Sequence, residues 1–230
     1  MDKIVILTGA GISAESGLGT FRDEGGLWAQ HRLEDVATPE GFARDPALVH
    51  RFYNARRVQA AGAAPNAAHH ALARLEAEYG GDVLVVTQNV DGLHEAAGSR
   101  NVLHMHGALS GALCAACDHR WPAPLEMFPH DTCPRCHAQA ARPDIVWFGE
   151  MSYHMEDIWA HLEEADIFAA IGTSGQVYPA AAFGQHAGRA GAHTIELNLE
   201  ASANVRDFTE VRQGVASVIV PEWVDGILYR

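Results

Sequence analysis

Four cysteines form two closely spaced pairs, and the chain contains no others. Cys114, Cys117, Cys133 and Cys136 give the spacing C-x2-C-x15-C-x2-C. Two pairs of this kind can present four thiolates to one tetrahedral zinc ion, and a zinc with four protein ligands is structural rather than catalytic. Disulfides or free thiols are the alternative interpretation, which a reducing compartment disfavours. We therefore predict a structural zinc held by these four thiolates.

A glycine-rich turn follows the first apolar segment of the chain. The uncharged run Ile4–Leu7 predicts a buried parallel strand, and the residues from Gly9 to Ala14 have the spacing G-x-G-x-x-A. Glycines at this spacing allow a tight turn and bring the backbone close to a pyrophosphate. An ordinary turn between a strand and a helix is the alternative. A dehydrogenase would also carry an acid at the end of a second strand, about 20 residues further on, whereas residues 23–26 are typical of a turn.

Polar residues stand at the ends of several other predicted strands. The carboxyl ends of buried parallel strands line the ligand crevice of an α/β sheet. A histidine there could act as a general base, because its pKa lies close to neutral pH. His104 and His106 are both candidates, since residues two apart in a strand share a face. The other polar or small residues at strand ends are Gln88, Asn89, Asp91, Gly172, Thr173, Ser174, Asn198 and Glu200.

Apolar strands alternate with helices along the chain, which predicts an α/β fold with a doubly wound parallel sheet. Helix-start signals occur at Thr38-Pro39, at Asp45-Pro46 and at Pro65-Asn66. We predict a strand over residues 101–107, an extended segment over 144–148, a last strand at Ser217–Val220 and a closing helix that starts at Pro221. The apolar pattern lapses between Cys114 and Cys136, which indicates an inserted module.

The charge and hydropathy of the chain disfavour two classes of function. It has 16 basic and 29 acidic residues and a formal net charge of −13, the opposite sign to that of a general nucleic-acid binder. The charges within the cysteine segment are nearly balanced, so a nucleic-acid-binding zinc ribbon fits poorly. No apolar run approaches the length of a membrane span, and the first residues do not resemble a secretory signal. We expect a cytoplasmic protein without nucleic-acid or membrane partners.

An ordered set of motifs resembles the sirtuins, which are NAD-dependent protein lysine deacylases. The resemblance runs from Ile4 to about Val224 and points to the acidic-acyl type of bacterial sirtuin. Its motifs are GAGISAESGLGTFR, TQNVDGLHEAAG, the histidine-glycine pair at residue 106, the four cysteines, RPDIVWFGE, GTS at residue 172 and NLE at residue 198.

The family fold implied by this resemblance is a Rossmann-like doubly wound parallel sheet with a small inserted zinc-binding domain. NAD and an acylated lysine of another protein would enter the cleft between the two parts. On this basis the large part comprises about residues 1–30, 82–107 and 144–230. A helical insertion would cover about residues 31–81, and the zinc module about residues 108–143.

The resemblance also implies a reaction. The acyl oxygen of the substrate would attack the ribose carbon of NAD and expel nicotinamide. The base, His106 by its pairing with glycine, would then activate a ribose hydroxyl, and water would complete the release of lysine and O-acyl-ADP-ribose. NAD would be consumed as a co-substrate. The residues that match the family's NAD site are Gly9, Ala10, Gly11, Ile12, Ala14, Glu15, Phe21, Arg22, Trp28, Gln88, Asn89, Val90, Asp91, Gly172, Thr173, Ser174, Asn198, Leu199, Glu200 and Ala216.

Two further segments match the family's substrate side. Tyr53 and Arg56 lie one helical turn apart and meet the Y-x-x-R part of the pattern for acidic acyl groups, although no clear alanine precedes them. A phenol and a guanidinium could clamp the carboxylate of succinyl- or malonyl-lysine, and a solvated helix face is the alternative. Val146, Trp147 and Phe148 match the segment that pairs with an extended peptide, and the alternative for them is a core strand.

Two other functions remain open from the residues alone. An NAD-linked Rossmann oxidoreductase would share the glycine turn, but the acid expected of it is missing. A zinc-bearing binding module without catalysis would not need the histidine and polar residues at the strand ends.

Overall fold

The computed structural model describes residues 2–19 and 31–229, and its centre is a six-stranded sheet. All its neighbouring strands are parallel, in the order β3-β2-β1-β7-β8-β9. This order reverses between β1 and β7, where an α/β sheet opens its ligand crevice. The strands are β1 Lys3–Thr8, β2 Asp82–Thr87, β3 Val102–His104, β7 Ile167–Ile171, β8 His193–Asn198 and β9 Glu210–Gln213.

Helices cover both faces of this sheet because its central strands are apolar on both sides. Ile4 and Ile6 of β1 face α5 (Ala67–Glu78) and α9 (Ala216–Leu228), whereas the alternate residues Val5 and Leu7 face α7 (Met155–Glu163) and α8 (Phe183–Ala190). The predicted doubly wound α/β fold is therefore confirmed.

A second, smaller sheet carries the cysteines. It contains β4 (Gly107–Cys114), β5 (Arg120–Pro122) and β6 (Ala141–Ile145), which pair antiparallel in the order β5-β4-β6. Cys114 is the last residue of β4, and the other three cysteines lie in the loops beyond it, where the apolar pattern lapses. We call residues 114–140 the zinc module.

Helices connect the two sheets, and side-chain caps fix where three of them begin. Thr38 accepts the N–H of Gly41 and Asp45 accepts the N–H of Leu48, both at the predicted helix starts, and Asn66 caps α5. The short helices are α1 Ala10–Ser13, α2 Leu33–Val36, α3 Pro39–Arg44 and α6 Leu93–Ala97, and the long one is α4 Pro46–Ala61. Among the described residues, no helix is both long and apolar enough to cross a membrane.

The predicted last strand at Ser217–Val220 is wrong. These residues open α9, and the last strand is β9 at Glu210–Gln213. Three consecutive β-branched residues before a proline are typical of a strand followed by a helix start. The burial of Ile219, Val220, Trp223 and Val224 has helical spacing instead, and it packs the helix against α5 and the sheet. Pro221 lies inside the helix rather than at its start.

Two other predicted extended segments are shorter than expected. The strand predicted over 101–107 ends at His104, and the chain turns before β4 begins at Gly107 in the other sheet. Gly107 has a φ of +77°, and a Cβ there would lie 2.1 Å from the carbonyl oxygen of Asp144. The segment predicted over 144–148 is a strand only to Ile145. The helix α5 lies in the predicted 31–81 insertion, but its buried residues pack against the six-stranded sheet.

Candidate active site

The first glycine turn and the turn after β7 pack directly against each other. The N–H of Gly9 donates to Ile171, and the N–H of Gly11 donates to the carbonyl oxygen of Gly172 at 2.9 Å. A Cβ at Gly11 would lie 2.7 Å from the Cα of Gly172, and one at Gly9 would lie 2.7 Å from the Gly172 oxygen. These glycines are therefore needed for contact between two turns of the protein itself. This contact brings two of the predicted NAD segments together at the switch point of the sheet.

The remaining described residues of the predicted NAD site lie at the same edge. Asn198, at the end of β8, donates from its side-chain amide to the carbonyl oxygen of Thr173 at 2.7 Å. Glu15 accepts both the N–H and the hydroxyl of Ser217, beside Ala216 at the start of α9. The structure places Ala10, Ile12 and Ala14 in the first turn and its short helices, Ser174 after β7, and exposed Leu199 and Glu200 after β8. The predicted residues Phe21, Arg22 and Trp28 lie outside the described residues.

A buried polar cluster joins the first turn to the segment after β2. Ser13 donates to Asp91 at 3.2 Å, and the amide of Asn89 donates to Ser13 at 3.3 Å and to the carbonyl oxygen of Gly9 at 3.0 Å. The ring of His69 lies 3.5 Å from the Ser13 hydroxyl. Burial raises the pKa of Asp91, against the opposing hydrogen bonds from Leu93 and Ser13. The cluster fixes the side chains of Asn89 and Asp91 before any ligand binds.

A second group of buried polar residues, from β1, β2 and α6, bonds to this cluster. The hydroxyl of Thr8 bonds to that of Thr87 and to Nε2 of His94, both at 2.9 Å, and Thr87 accepts the N–H of Asn89. Burial lowers the pKa of His94 to about 3 and that of His69 to about 4. Both rings are therefore neutral at physiological pH.

His104 and His106 differ in protonation, although His104 is the last residue of β3 and His106 follows it by two positions. The Nδ1 of His104 bonds to the carbonyl oxygen of Asn89 at 3.1 Å, and its Nε2 bonds to the carboxylate of Glu95 at 2.7 Å. Two acceptors require two N–H groups, so this ring is a cation. Burial alone would lower the pKa of His104, but the bond and charge of Glu95 raise it above its ordinary value.

The ring of His106 is neutral and carries its proton on Nδ1. That nitrogen bonds to the carbonyl oxygen of Gln88 at 3.1 Å, and a carbonyl can only accept. Burial lowers the pKa of His106, with only partial opposition from this hydrogen bond. Nε2 is therefore the nitrogen with a lone pair, and it makes no hydrogen bond within the part of the chain that the structure describes.

Tyr53 and Arg56 lie on one side of α4, next to the segment that follows β6. The Tyr53 hydroxyl accepts the indole N–H of Trp147 at 3.0 Å, and the Arg56 guanidinium lies 5.8 Å from the centre of the Tyr53 ring. Burial raises the pKa of Tyr53 and lowers that of Arg56, which the nearby Tyr53 and Asp91 oppose. Tyr53 is buried and Arg56 is partly buried, so the predicted pair does not lie on a fully solvated helix face.

The backbone of Val146, Trp147 and Phe148 is already partly used within the chain. Val146 donates to the carbonyl oxygen of His106, and Phe148 donates to that of Ala37, both at 2.9 Å. The N–H of Trp147 donates to the carboxylate of Glu150, whose own N–H donates back to the Trp147 carbonyl. The indole is only 2% exposed. Addition of a peptide strand through these N–H groups is therefore not available in this conformation.

A partly buried ion pair holds Trp147 in this position. Arg142 makes a two-pronged bond to Glu150 at 2.6 and 2.9 Å, and its guanidinium lies 3.5 Å from the centre of the Trp147 ring. Burial alone would raise the pKa of Glu150, but the bonds from Arg142 and Trp147 lower it. The sequence analysis missed both charged residues, although RPDIVWFGE contains them.

The four cysteine sulfurs have the spacing of a tetrahedral metal site. All four lie within 4.8 Å of one another, with 3.6 Å between Cys114 and Cys136 and 3.8 Å between Cys117 and Cys133. Four sulfurs at the usual zinc–sulfur distance of about 2.3 Å would be about 3.8 Å apart in a tetrahedron. A disulfide would need about 2.05 Å, and all four cysteines are free. The residues therefore fit zinc.

Comparisons with known proteins identify the family. The sequence pattern of the Sir2 family matches residues 9–179. An NAD-dependent protein deacylase of Vibrio parahaemolyticus is 58% identical over 98% of this chain and 95% of its own length. A relative of the same name from Caulobacter vibrioides is 53% identical over 99% of this chain and 98% of its own length. A crystal structure of a Sir2 homologue in complex with NAD superposes with a TM-score of 0.90, at 38% identity over 98% of this chain and 89% of that one.

The chain belongs to the Sir2 family, the sirtuins. The predicted family is thus confirmed, and the oxidoreductase alternative is not supported. In this sirtuin the sequence analysis missed the buried partners of the predicted residues, above all His69, His94 and Thr8. A signal was available for His69, since it follows the Asn66 cap by three residues and its Nδ1 completes the capping box.

A cleft of about 270 Å³ opens beside the site of this sirtuin. It lies between α4, the loop after β2 and the zinc module, and its walls include Val90, Asp91, Leu109 and Arg57. The cleft is mostly apolar, with a carboxyl and a guanidinium on its walls. It therefore reaches from one of the predicted NAD residues to the zinc module.

Proposed function

We propose that this sirtuin is an NAD-dependent protein lysine deacylase that removes acetyl, succinyl and malonyl groups. Its substrates are acylated lysines of other proteins. The products are nicotinamide, O-acyl-ADP-ribose and free lysine. The observation that carries the proposal is a neutral, oriented His106 at the edge of the sheet where the residues that match the family's NAD site meet.

His106 is the residue that we assign as the base. With its proton on Nδ1 and held by Gln88, the ring presents the lone pair of Nε2 and can accept a proton from a ribose hydroxyl. Its lowered pKa keeps it in this form at neutral pH. His104 could not replace it, because Glu95 and Asn89 occupy both its nitrogens. The geometry therefore favours His106 over the histidine that the sequence left as its rival.

The residues after β2 are suited to hold the nicotinamide and ribose parts of NAD. Asn89 and Asp91 are fixed by Ser13 and the backbone, so little side-chain entropy is lost when a ligand binds. NAD supplies the glycosidic bond that is cleaved. The relatives' name, NAD-dependent protein deacylase, agrees with this use.

Tyr53 and Arg56 would bind the carboxylate of an acidic acyl group. The Tyr53 hydroxyl accepts from Trp147, so its own proton can be donated to a carboxylate oxygen. Arg56 supplies a positive charge one turn further along α4, in surroundings whose burial strengthens its attraction for an anion. An acetyl group has no carboxylate and would leave both groups in place.

The peptide around the acyl-lysine would lie against Val146–Phe148, where Phe148 is half exposed. Because the N–H groups of this segment are occupied, the free backbone groups are carbonyl oxygens of Val146 and Phe148, which accept no backbone bond in the described part of the chain. Zinc bound by the four cysteines would hold the module beside the cleft. Four free thiols suit a reducing compartment such as the cytoplasm.

The test is mass spectrometry of acetyl-, succinyl- and malonyl-lysine peptides incubated with the protein, with and without NAD. We expect NAD-dependent loss of each acyl group and formation of the matching O-acyl-ADP-ribose. His106→Asn should lower turnover by about 10²- to 10⁴-fold, the usual contribution of a general base. His104→Asn is the matched control and should change it by no more than about tenfold. No loss of any acyl group with NAD present would overturn the proposal.

A further inference from the structure

Helix α4 carries two adjacent stripes of residues with different contacts. Val49, Tyr53 and Arg56 are spaced i, i+4 and i+7, and Val49 and Tyr53 pack in the core cluster that contains Trp147. His50, Asn54 and Arg57 follow one position later at the same spacing. Two residues of the second stripe, Asn54 and Arg57, bond to the zinc module and to β4. The sequence analysis gave it no role.

Asn54 is bonded twice to the backbone of one residue in the zinc module. Its amide donates to the carbonyl oxygen of Met127 at 2.9 Å, and its side-chain oxygen accepts the N–H of Met127 at 3.0 Å. Met127 lies between the two cysteine pairs and is 1% exposed. An asparagine amide satisfied on both sides in this way fixes the distance and the rotation of the helix relative to the module.

Arg57 completes this contact and is 5% exposed. Its guanidinium donates to the side-chain oxygen of Asn54 at 2.9 Å, to the sulfur of Met127 at 3.1 Å and to the carbonyl oxygen of Leu109 in β4 at 2.8 Å. Within the described ranges, no carboxylate pairs with it. Burial lowers the pKa of Arg57 to about 10. A buried cation held only by neutral acceptors is costly, which indicates that its position serves a function.

We propose that Asn54 and Arg57 are positioning residues for acyl-group selectivity, through which the zinc module sets the orientation of Tyr53 and Arg56. Each is the next residue along α4 after one member of the proposed clamp. The inference rests on the proposed function, because it presupposes that Tyr53 and Arg56 bind an acidic acyl group. Under this proposal the zinc contributes to substrate choice as well as to folding.

Helix geometry makes the clamp sensitive to this contact. Side-chain ends lie about 5–6 Å from a helix axis, so a rotation of α4 by about 10° would move the Arg56 guanidinium by about 1 Å. A displacement of about 1 Å can cost about 10²-fold in rate where groups must be aligned. An acetyl group has no carboxylate to bind Tyr53 and Arg56, so the rate of deacetylation should depend little on the rotation of α4.

The experiment compares acyl selectivity in the zinc-loaded full chain. Asn54→Ala and the milder Arg57→Lys are assayed for kcat and KM with succinyl- and acetyl-lysine peptides, and zinc is measured per chain. Arg51→Met is the matched control, because Arg51 is exposed on the same helix. We expect both variants to keep one zinc and to lose about tenfold in the ratio of succinyl to acetyl kcat/KM, mainly through a higher KM for the succinyl peptide. The control should keep the ratio.

Other results would overturn the inference. Equal losses on both peptides with zinc retained would show that the contact is only structural, and an unchanged ratio would show that it does not position the clamp. If Asn54→Ala loses its zinc, the succinyl and acetyl rates are compared in Arg57→Lys instead, because that variant keeps the charge. Arg56→Met is run in parallel. If that variant still removes succinyl groups normally, the clamp itself is wrong and the inference falls with it. If Arg56→Met does lose succinyl activity, the clamp is supported. An unchanged ratio in the Asn54 and Arg57 variants then counts against this inference and not against the proposed function.

Discussion

Tyr53→Phe removes one oxygen from the proposed acyl pocket, and its effect on stability follows from one contact. The hydroxyl is the acceptor for the indole N–H of Trp147, and both side chains are at most 2% exposed. Without it, a buried donor loses its partner, which costs about 1–3 kcal/mol. In a chain of this size each kcal/mol lowers Tm by about 2–4 °C. The variant should therefore fold, with a modestly lower melting temperature.

The same substitution should affect the acyl substrates unequally. A hydrogen bond from Tyr53 to a carboxylate contributes about 1.5–3 kcal/mol, because the acceptor is charged. Its loss corresponds to about 10- to 160-fold in kcat/KM for succinyl- and malonyl-lysine. An acetyl group offers no carboxylate, so deacetylation should stay within about threefold.

Steady-state kinetics on the three peptides and thermal unfolding of the same preparations provide the measurement. Tyr229→Phe is the control, since that tyrosine is 73% exposed and lies outside the site. An equal loss for acetyl and succinyl peptides would mean that Tyr53 acts only by holding Trp147. An unchanged succinyl rate would refute the clamp.

Three other perturbations test separate parts of the structure. The lowered pKa values of His69 and His94, about 4 and about 3, mean that below pH 6.5 the unfolded chain binds protons that the folded chain excludes. The free energy of unfolding should be highest above that pH and fall by up to about 1.4 kcal/mol per pH unit for each ring as the pH drops towards 4. Urea unfolding that gives the same free energy at pH 7 and pH 5 would contradict this. One zinc per chain should be released by a thiol-modifying reagent, and Cys136→Ser should lower both zinc content and Tm; a variant with full zinc content would argue against the four-thiolate site. Glu15→Gln should weaken its bonds to Ser217 and cost about 1 kcal/mol of stability even without NAD, whereas a loss confined to NAD binding would show that the carboxylate serves only the co-substrate.

Apolar pattern and cap chemistry were enough to predict most of the fold. Strands such as β2 are apolar at nearly every position because both faces of the sheet are covered, and such runs are rarely anything else when glycines bound them. The caps at Thr38, Asp45 and Asn66 are local, so their partners lie within three residues. The prediction for the start of α9 was wrong for the opposite reason. Its β-branched residues favour a strand locally, and packing against α5 decides for a helix.

The chemistry of the site was less accessible, because it depends on partners that are distant in sequence. The sequence placed Asp91 and Tyr53 among the candidate binding residues, but nothing local shows that Ser13 bonds the first or that Trp147 bonds the second. Those contacts span 78 and 94 residues. The reason for the glycines was also hidden, since their closest neighbour is Gly172. Motifs indicate residue types at an edge of the sheet, and only the fold reveals how their polar atoms are satisfied.

His104, the last residue of β3, and His106, two positions further on, show how far such partners determine function. Both rings are anchored in the same way, through Nδ1 to the carbonyl oxygen of adjacent residues, Gln88 and Asn89. What differs is the group opposite Nε2. For His104 it is the carboxylate of Glu95, which makes the ring a cation and removes it from proton transfer. His106 has no such carboxylate among the described residues, so burial keeps it neutral and leaves its lone pair for a substrate. One carboxylate on the short helix α6 thus separates a structural histidine from the proposed base, although the two have the same residue type and nearly the same backbone anchor.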